Sequence, residues 1–291
     1  MLAREMAVTE DLTPVAADAR VTVIRPVRGW SSLNLRELWE YRELLYFLVW
    51  RDVKIRYKQT AIGAAWVLIQ PLLTAAIFTV VFGRYAGLPS GGVPYGVMVF
   101  AGLLPWFVFA NALTFSTRSI VENQALVTKV YVPRLFLPLV GVLTGLVDFL
   151  IGSVFLVGLM AWYGIVPPAQ VLLLPLLVVF LVATAVSVTL WLSALNVRYR
   201  DVQYTVPFLT QAWLFATPVA YSVLVFPESV QKWIGLNPMA GVVQSFRWAL
   251  FGDAAGASGR TVVLSLAVTL VLLISGLEYF RRVERSFADV V

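Results

Sequence analysis

The chain has 291 residues, 60% of them hydrophobic and 13% charged, where a soluble domain carries about 25% charged residues. It contains no Cys and no His, which excludes a disulfide framework, thiol chemistry, an imidazole base and His-ligated zinc. The net charge of +6 would admit nucleic acid as a partner, so the placement of the cations has to decide.

Residues 1–30 are polar, with Glu5, Glu10, Asp11 and Asp18 and no apolar core of a signal peptide. They read as a cytoplasmic segment. In residues 31–60, Leu35, Trp39, Tyr46, Trp50, Val53 and Tyr57 recur at helical spacing, while Arg51, Lys54 and Lys58 share another face. This predicts an amphipathic helix at the cytoplasmic membrane interface, apolar all round near Leu44–Trp50. A membrane anchor and a helix that packs on the protein and helps gate it both fit.

Past Lys58 no charge occurs until Arg84, and four more long uncharged runs follow. A helix needs about 20 apolar residues to cross roughly 30 Å of hydrocarbon. Six spans result, at about 63–83, 96–116, 137–161, 170–194, 205–224 and 261–280, within a membrane domain of residues 61–280. Residues 281–291 form a tail. An even number of spans puts both termini on one side, and eighteen of the 22 Lys and Arg fall there. The excess of cations places that side in the cytoplasm. It also accounts for the basic composition without nucleic acid.

Between spans two and three, Ser119 and Glu122 fit a capping box, in which two side chains satisfy free amides at a helix start. A helix over about 120–130 is predicted, as a simple connector or as a docking helix for a cytoplasmic partner. The outer segment 225–260 is too apolar for a solvated loop. Asn237 as N-cap, Pro238 in the first turn and Gly252 at the end predict two short helices around an Asn-Pro turn, dipping into the outer leaflet.

No G-x-x-x-x-G-K-[ST] occurs, so ATP has no P-loop in this chain. No paired acidic motif supports a membrane glycosyltransferase. Asp148, at mid-depth in span three, has no basic partner within the spans. Proton relay, cavity lining and a hydrogen-bonded structural role are all open for it. Deep aromatics, including Phe78, Trp106 and Phe107, can stack on sugar faces or simply pack helices.

Residues 37–71 (ELWEYRELLYFLVWRDVKIRYKQTAIGAAWVLIQP), 102–113 (GLLPWFVFANAL), 195–201 (LNVRYRD) and 237–239 (NPM) together resemble the permease subunit of polysaccharide-exporting ABC transporters. Those are type-2 ABC exporters of O-antigen, capsule and teichoic acid, and the O-antigen branch looks closest. The resemblance covers about residues 20–285. It implies an all-α integral membrane protein: six transmembrane helices, an N-terminal amphipathic interfacial helix, a short cytoplasmic coupling helix and two short outer re-entrant helices before the sixth span. It implies a homodimer in the bacterial inner membrane, two copies of a separate ABC ATPase that bind ATP and magnesium, and a lipid-linked polysaccharide as substrate. Arg51, Lys54, Arg56 and Tyr57 would form the gate at the substrate entrance. Ser119, Glu122, Asn123 and Leu126 would form the coupling surface, and Phe78, Trp106, Phe107 and Tyr221 would line the path, which spans one, two and five surround. Arg198 and Asp201 would make a cytoplasmic contact. The gate cations can also attract anionic headgroups or meet the pyrophosphate of the carrier lipid. A type-2 permease for drugs or lipids, and an ion-coupled transporter using Asp148, are the alternatives.

Overall fold

The computed structural model describes residues 35–58, 65–129, 132–256 and 258–284. The polar segment 1–30 and the tail from Arg285 onward lie outside them. The described residues form helices α1 (Leu35–Glu40), α2 (Arg42–Tyr57), α3 (Ala65–Phe78), α4 (Tyr95–Glu122), α5 (Gln124–Lys129), α6 (Phe136–Trp162), α7 (Leu174–Arg198), α8 (Val202–Ala216), α9 (Glu228–Ile234), α10 (Pro238–Phe251) and α11 (Gly259–Glu284), with no strand among them. A π-helical segment, Thr79–Tyr85, continues α3, and a 3₁₀ turn, Ala169–Leu173, leads into α7.

Among the described residues five stretches are long and apolar enough to cross a bilayer: Ala65–Tyr85, Tyr95–Glu122, Phe136–Trp162, Ala169–Arg198 and Gly259–Glu284. The expected span at 205–224 is instead the 15-residue α8, about 22 Å long at 1.5 Å per residue. It stops at Thr217, whose backbone turns extended. Short 3₁₀ and helical pieces follow, and α10 then packs into the bundle with nearly every residue from Pro238 to Leu250 buried.

The centre of the bundle is α4. Its apolar window is 78% buried, against 17–33% for the other long helices. Lipid is as apolar as leucine, so helices in a bilayer associate through close packing rather than through the hydrophobic effect. The sequence supplies this on α6, where Gly141 and Gly145 form a G-x-x-x-G pair facing α4. A methyl added to Gly141 would lie 2.6 Å from Ser116 Oγ. The Ser116 hydroxyl donates instead to the Pro138 carbonyl, 2.7 Å away. Buried hydroxyls elsewhere on α4 and α7 return to their own helix, as Thr117 does to Leu113 O at 2.5 Å and Thr184 to Phe180 O at 2.9 Å. The outward faces carry exposed Leu73, Ile77, Leu150, Val154, Val263 and Val271, a surface suited to hydrocarbon.

Candidate functional site

The basic helix α2 runs alongside α6, in the same direction. Leu48 packs with Phe136 and Val140 near the start of α6. Two turns further on, Arg56 and Tyr57 reach Asp148, twelve residues or about 18 Å into α6. The helix therefore stands against the bundle and does not lie across its end. Its packed face follows the predicted stripe only in part: Val53 is buried and Tyr57 reaches Asp148, but the N-terminal half turns differently. Tyr41, Leu44, Leu45 and Leu48 turn inward, while Trp39, Tyr46 and Trp50 are exposed. The segment is apolar on two sides, and the branched aliphatic side packs better against α6 than the bulkier rings. Two outward rings carry cations: Arg42 lies 5.0 Å from the Trp39 centroid and Lys54 5.5 Å from Trp50.

Asp148 has a basic partner after all. Arg56 pairs with one carboxylate oxygen and the Tyr57 hydroxyl donates to the other. The sequence hid this because Arg56 lies outside the spans and 92 positions away. The pair is largely withdrawn from solvent, with side chains 24% and 14% exposed. The Arg56 guanidinium also sits 4.8 Å from the Phe115 ring centroid, so α4 holds it from another side. Burial, and then the adjacent Asp148 carboxylate, raise the Tyr57 phenol well above its ordinary range.

This cluster forms one wall of a cavity of about 620 Å³ between α2, α3, α4 and α6. The rings of Trp66, Phe107 and Phe115 face it, as do the amides of Gln70 and Asn111. Its volume lies within the roughly 300–1,000 Å³ typical of small-ligand sites. Among the predicted path residues, Phe107 lines this cavity. Phe78 and Trp106 are buried in the core, where Phe78 contacts Phe215 and Trp106 contacts Phe109. Tyr221 lies past the end of α8, its hydroxyl donating to the Phe215 carbonyl at 2.6 Å.

The helix break expected at Ser119 comes four residues later. Ser119 is inside α4, and its hydroxyl bonds back to Ser116 O at 2.7 Å, so it cannot cap a new helix. Asn123 makes the break. Its backbone leaves helical geometry and its amide donates to Ser119 O at 2.8 Å, ending α4 before α5 begins. Asn123 Oδ1 also accepts from Arg51 at 3.4 Å, and Leu126 packs in the cluster around Leu48. Arg51 of the predicted gate and Asn123 of the predicted coupling surface therefore meet at one junction. Glu122 is exposed beside it. Arg198 and Asp201 flank the turn between α7 and α8. Arg198 lies over the Tyr199 ring at 5.4 Å, and the turn is tied by Asn196 Oδ1, which accepts from the Gln203 amide at 3.0 Å.

Asn237 caps α10 as expected, accepting from the Met239 amide at 3.1 Å. It also accepts from the Trp213 indole at 3.0 Å and donates to Ala216 O and Thr217 Oγ1, joining the end of α8 to the start of α10. Arg247 is one of the four Lys and Arg that the sequence places opposite the other eighteen. It is 3% exposed, with hydrogen bonds to the Met98, Pro218, Val219 and Tyr221 carbonyls. The available signal was its isolation in the apolar run GVVQSFRWALFG.

The described residues thus form a multi-pass helical bundle with a part-buried polar cluster beside a cavity. The chain belongs to the ABC-2 type transporter family, whose pattern matches residues 43–251. It is 30% identical over 259 residues to the O-antigen export system permease protein RfbA of Myxococcus xanthus, covering 88% of this chain and 98% of that protein. A Klebsiella pneumoniae protein of the same name is 29% identical over 251 residues, covering 86% and 95%. The polysialic acid transport protein KpsM of Escherichia coli is 20% identical over 248 residues, covering 81% and 92%. The resemblance drawn from the sequence motifs holds, including its leaning toward the O-antigen branch. The chain is a permease and not an enzyme.

Proposed function

We propose that this chain is the channel-forming subunit of an ATP-driven exporter that moves a lipid-linked, O-antigen-like polysaccharide outward across the bacterial inner membrane. Two copies form the channel, and two copies of a separate ABC ATPase dock from the cytoplasm around α5. α8 and its extended continuation complete a sixth pass, α9 and α10 re-enter from the outer side, and both termini are cytoplasmic.

The observation that carries this reading is the junction of α2 with α4, α5 and α6. Nucleotide binding in the ATPase displaces α5. The Arg51–Asn123 bond and the packing of Leu126 in the cluster around Leu48 pass that displacement to α2. At the far end of α2, Arg56 and Tyr57 hold Asp148 at the cavity wall, so movement of α2 reshapes the cavity. The channel itself performs no chemistry. It offers states that nucleotide binding elsewhere favours unequally. Rings beside amides suit sugar faces and hydroxyls. With Arg56 engaged by Asp148, the exposed Lys54 and Lys58 remain accessible to attract headgroup phosphate.

Affinity purification of tagged chain in mild detergent tests the reading. A stoichiometric P-loop ATPase, whose hydrolysis rises with lipid-linked glycan, is the expected result. Recovery of this chain alone across several detergents at native expression would remove the engine.

A further inference from the structure

The segment after α8 is irregular backbone, and Thr217–Ala220 is buried. Buried carbonyls need donors, and irregular backbone at membrane depth persists only where protein supplies them. Here the donors come from outside the segment. The Asn237 amide serves Ala216 O at 3.2 Å, and the Tyr95 hydroxyl serves Ala220 O. Arg247 Nη1 serves Pro218 O at 2.9 Å and Tyr221 O at 3.3 Å, and its Nη2 serves Val219 O. The one exception is Thr217 O, which accepts from the Val219 amide at 2.7 Å within the segment. Arg247 Nε is anchored on α4 through Met98 O at 3.1 Å.

The guanidinium fits there because residue 102 is glycine. A methyl at that position would lie 2.8 Å from Nη2 and 3.2 Å from Cζ. A fully buried cation is costly to desolvate, and no aliphatic residue could serve three carbonyls of one loop at once. A lysine offers a point charge, not a planar fork.

We propose that Arg247 is a positioning residue that latches the 217–221 segment across the outer end of the path, with Tyr95 as its second catch. This rests on the export reading, since it takes α8 to border the path. Apart from that one turn bond, the segment owes its shape to side chains on α4 and at the start and middle of α10. It therefore shifts as a unit when those side chains let go, and remains closed while they hold. The resting complex is sealed by this latch.

The test uses the whole permease–ATPase complex in proteoliposomes without nucleotide or glycan, and measures efflux of a small trapped dye. Arg247→Lys keeps the charge and loses the fork. Gly102→Ala keeps the arginine and displaces it. Both are expected to assemble with the ATPase and to raise passive efflux roughly tenfold, as when a two-state population loses one charge-assisted hydrogen bond. Tyr95→Phe, which removes one hydroxyl, should leak less but above wild type. A purely structural role would lower thermal stability and yield and leave assembled complex tight. Arg247→Lys and Gly102→Ala complexes as tight as wild type would overturn the proposal. Should those two fail to assemble, a tight Tyr95→Phe complex would overturn it. Glycan transport by wild type in the same vesicles separates the two ideas. Leaky variants beside an inactive wild type would sink export and leave the latch, and tight variants beside an active wild type would do the reverse.

Discussion

Removing one member of the Arg56–Asp148 pair should cost far more than removing both. At an ordinary separation of about 2.8 Å and an effective dielectric near 20, two unit charges attract by about 6 kcal/mol. Desolvation offsets most of that, and the side chains keep 24% and 14% of their exposure, so a coupling of about 1–3 kcal/mol is expected. Arg56→Gln leaves a carboxylate held by Tyr57 alone. Asp148→Asn leaves a guanidinium against Phe115. The double variant leaves two neutral amides that can bond each other. Unfolding of the four proteins in an SDS titration, followed by tryptophan fluorescence, gives the cycle. The double variant should be more stable than the sum of the single losses implies, and should recover export that Arg56→Gln loses. Strict additivity, with export lost equally in all three, would refute the idea that the pair acts as a unit in setting the position of α2.

Further expectations follow from other contacts. Gly141→Ala, which drives a methyl to 2.6 Å from Ser116 Oγ, should destabilise by about 1–3 kcal/mol, whereas Gly158→Ala, with nothing within 4 Å, should be neutral or slightly stabilising; thermal unfolding in detergent compares them. Asn123→Ala removes the long 3.4 Å bond to Arg51 and its own tie to Ser119 O, so stability should fall by only about 1 kcal/mol while glycan-stimulated ATP hydrolysis falls more, measured on the purified complex. Ala125→Glu, on the exposed side of α5, should abolish co-purification of the ATPase without changing the melting temperature of the permease.

The long helices were legible because an uncharged run of that length has few other stable outcomes. Asn237, Pro238 and Gly252 marked the bounds of α10 for the same local reasons. What sequence missed was set by contacts between distant residues. The Arg56–Asp148 pair spans 92 positions. Ser119 and Glu122 formed a valid capping pattern, yet α4 continued because Ser119 is buried in the bundle and bonds to its own helix. Val53 and Tyr57 of the predicted stripe do turn inward, but Trp39, Tyr46 and Trp50 do not, because the first half of the segment is apolar on two sides and only the shape of α6 chooses between them. Span five was overestimated, since its apolar residues continue past Ala216 as buried irregular backbone.

The central claim is best tested by translocation itself. Permease and ATPase are co-reconstituted in vesicles, and lipid-linked glycan supplied on the ATPase side is followed by a lectin on the other. The account predicts lectin-accessible glycan that accumulates with ATP, stops with a non-hydrolysable analogue and is lost in Arg56→Gln. Glycan that crosses without ATP, or that never crosses although the complex hydrolyses ATP, would contradict it.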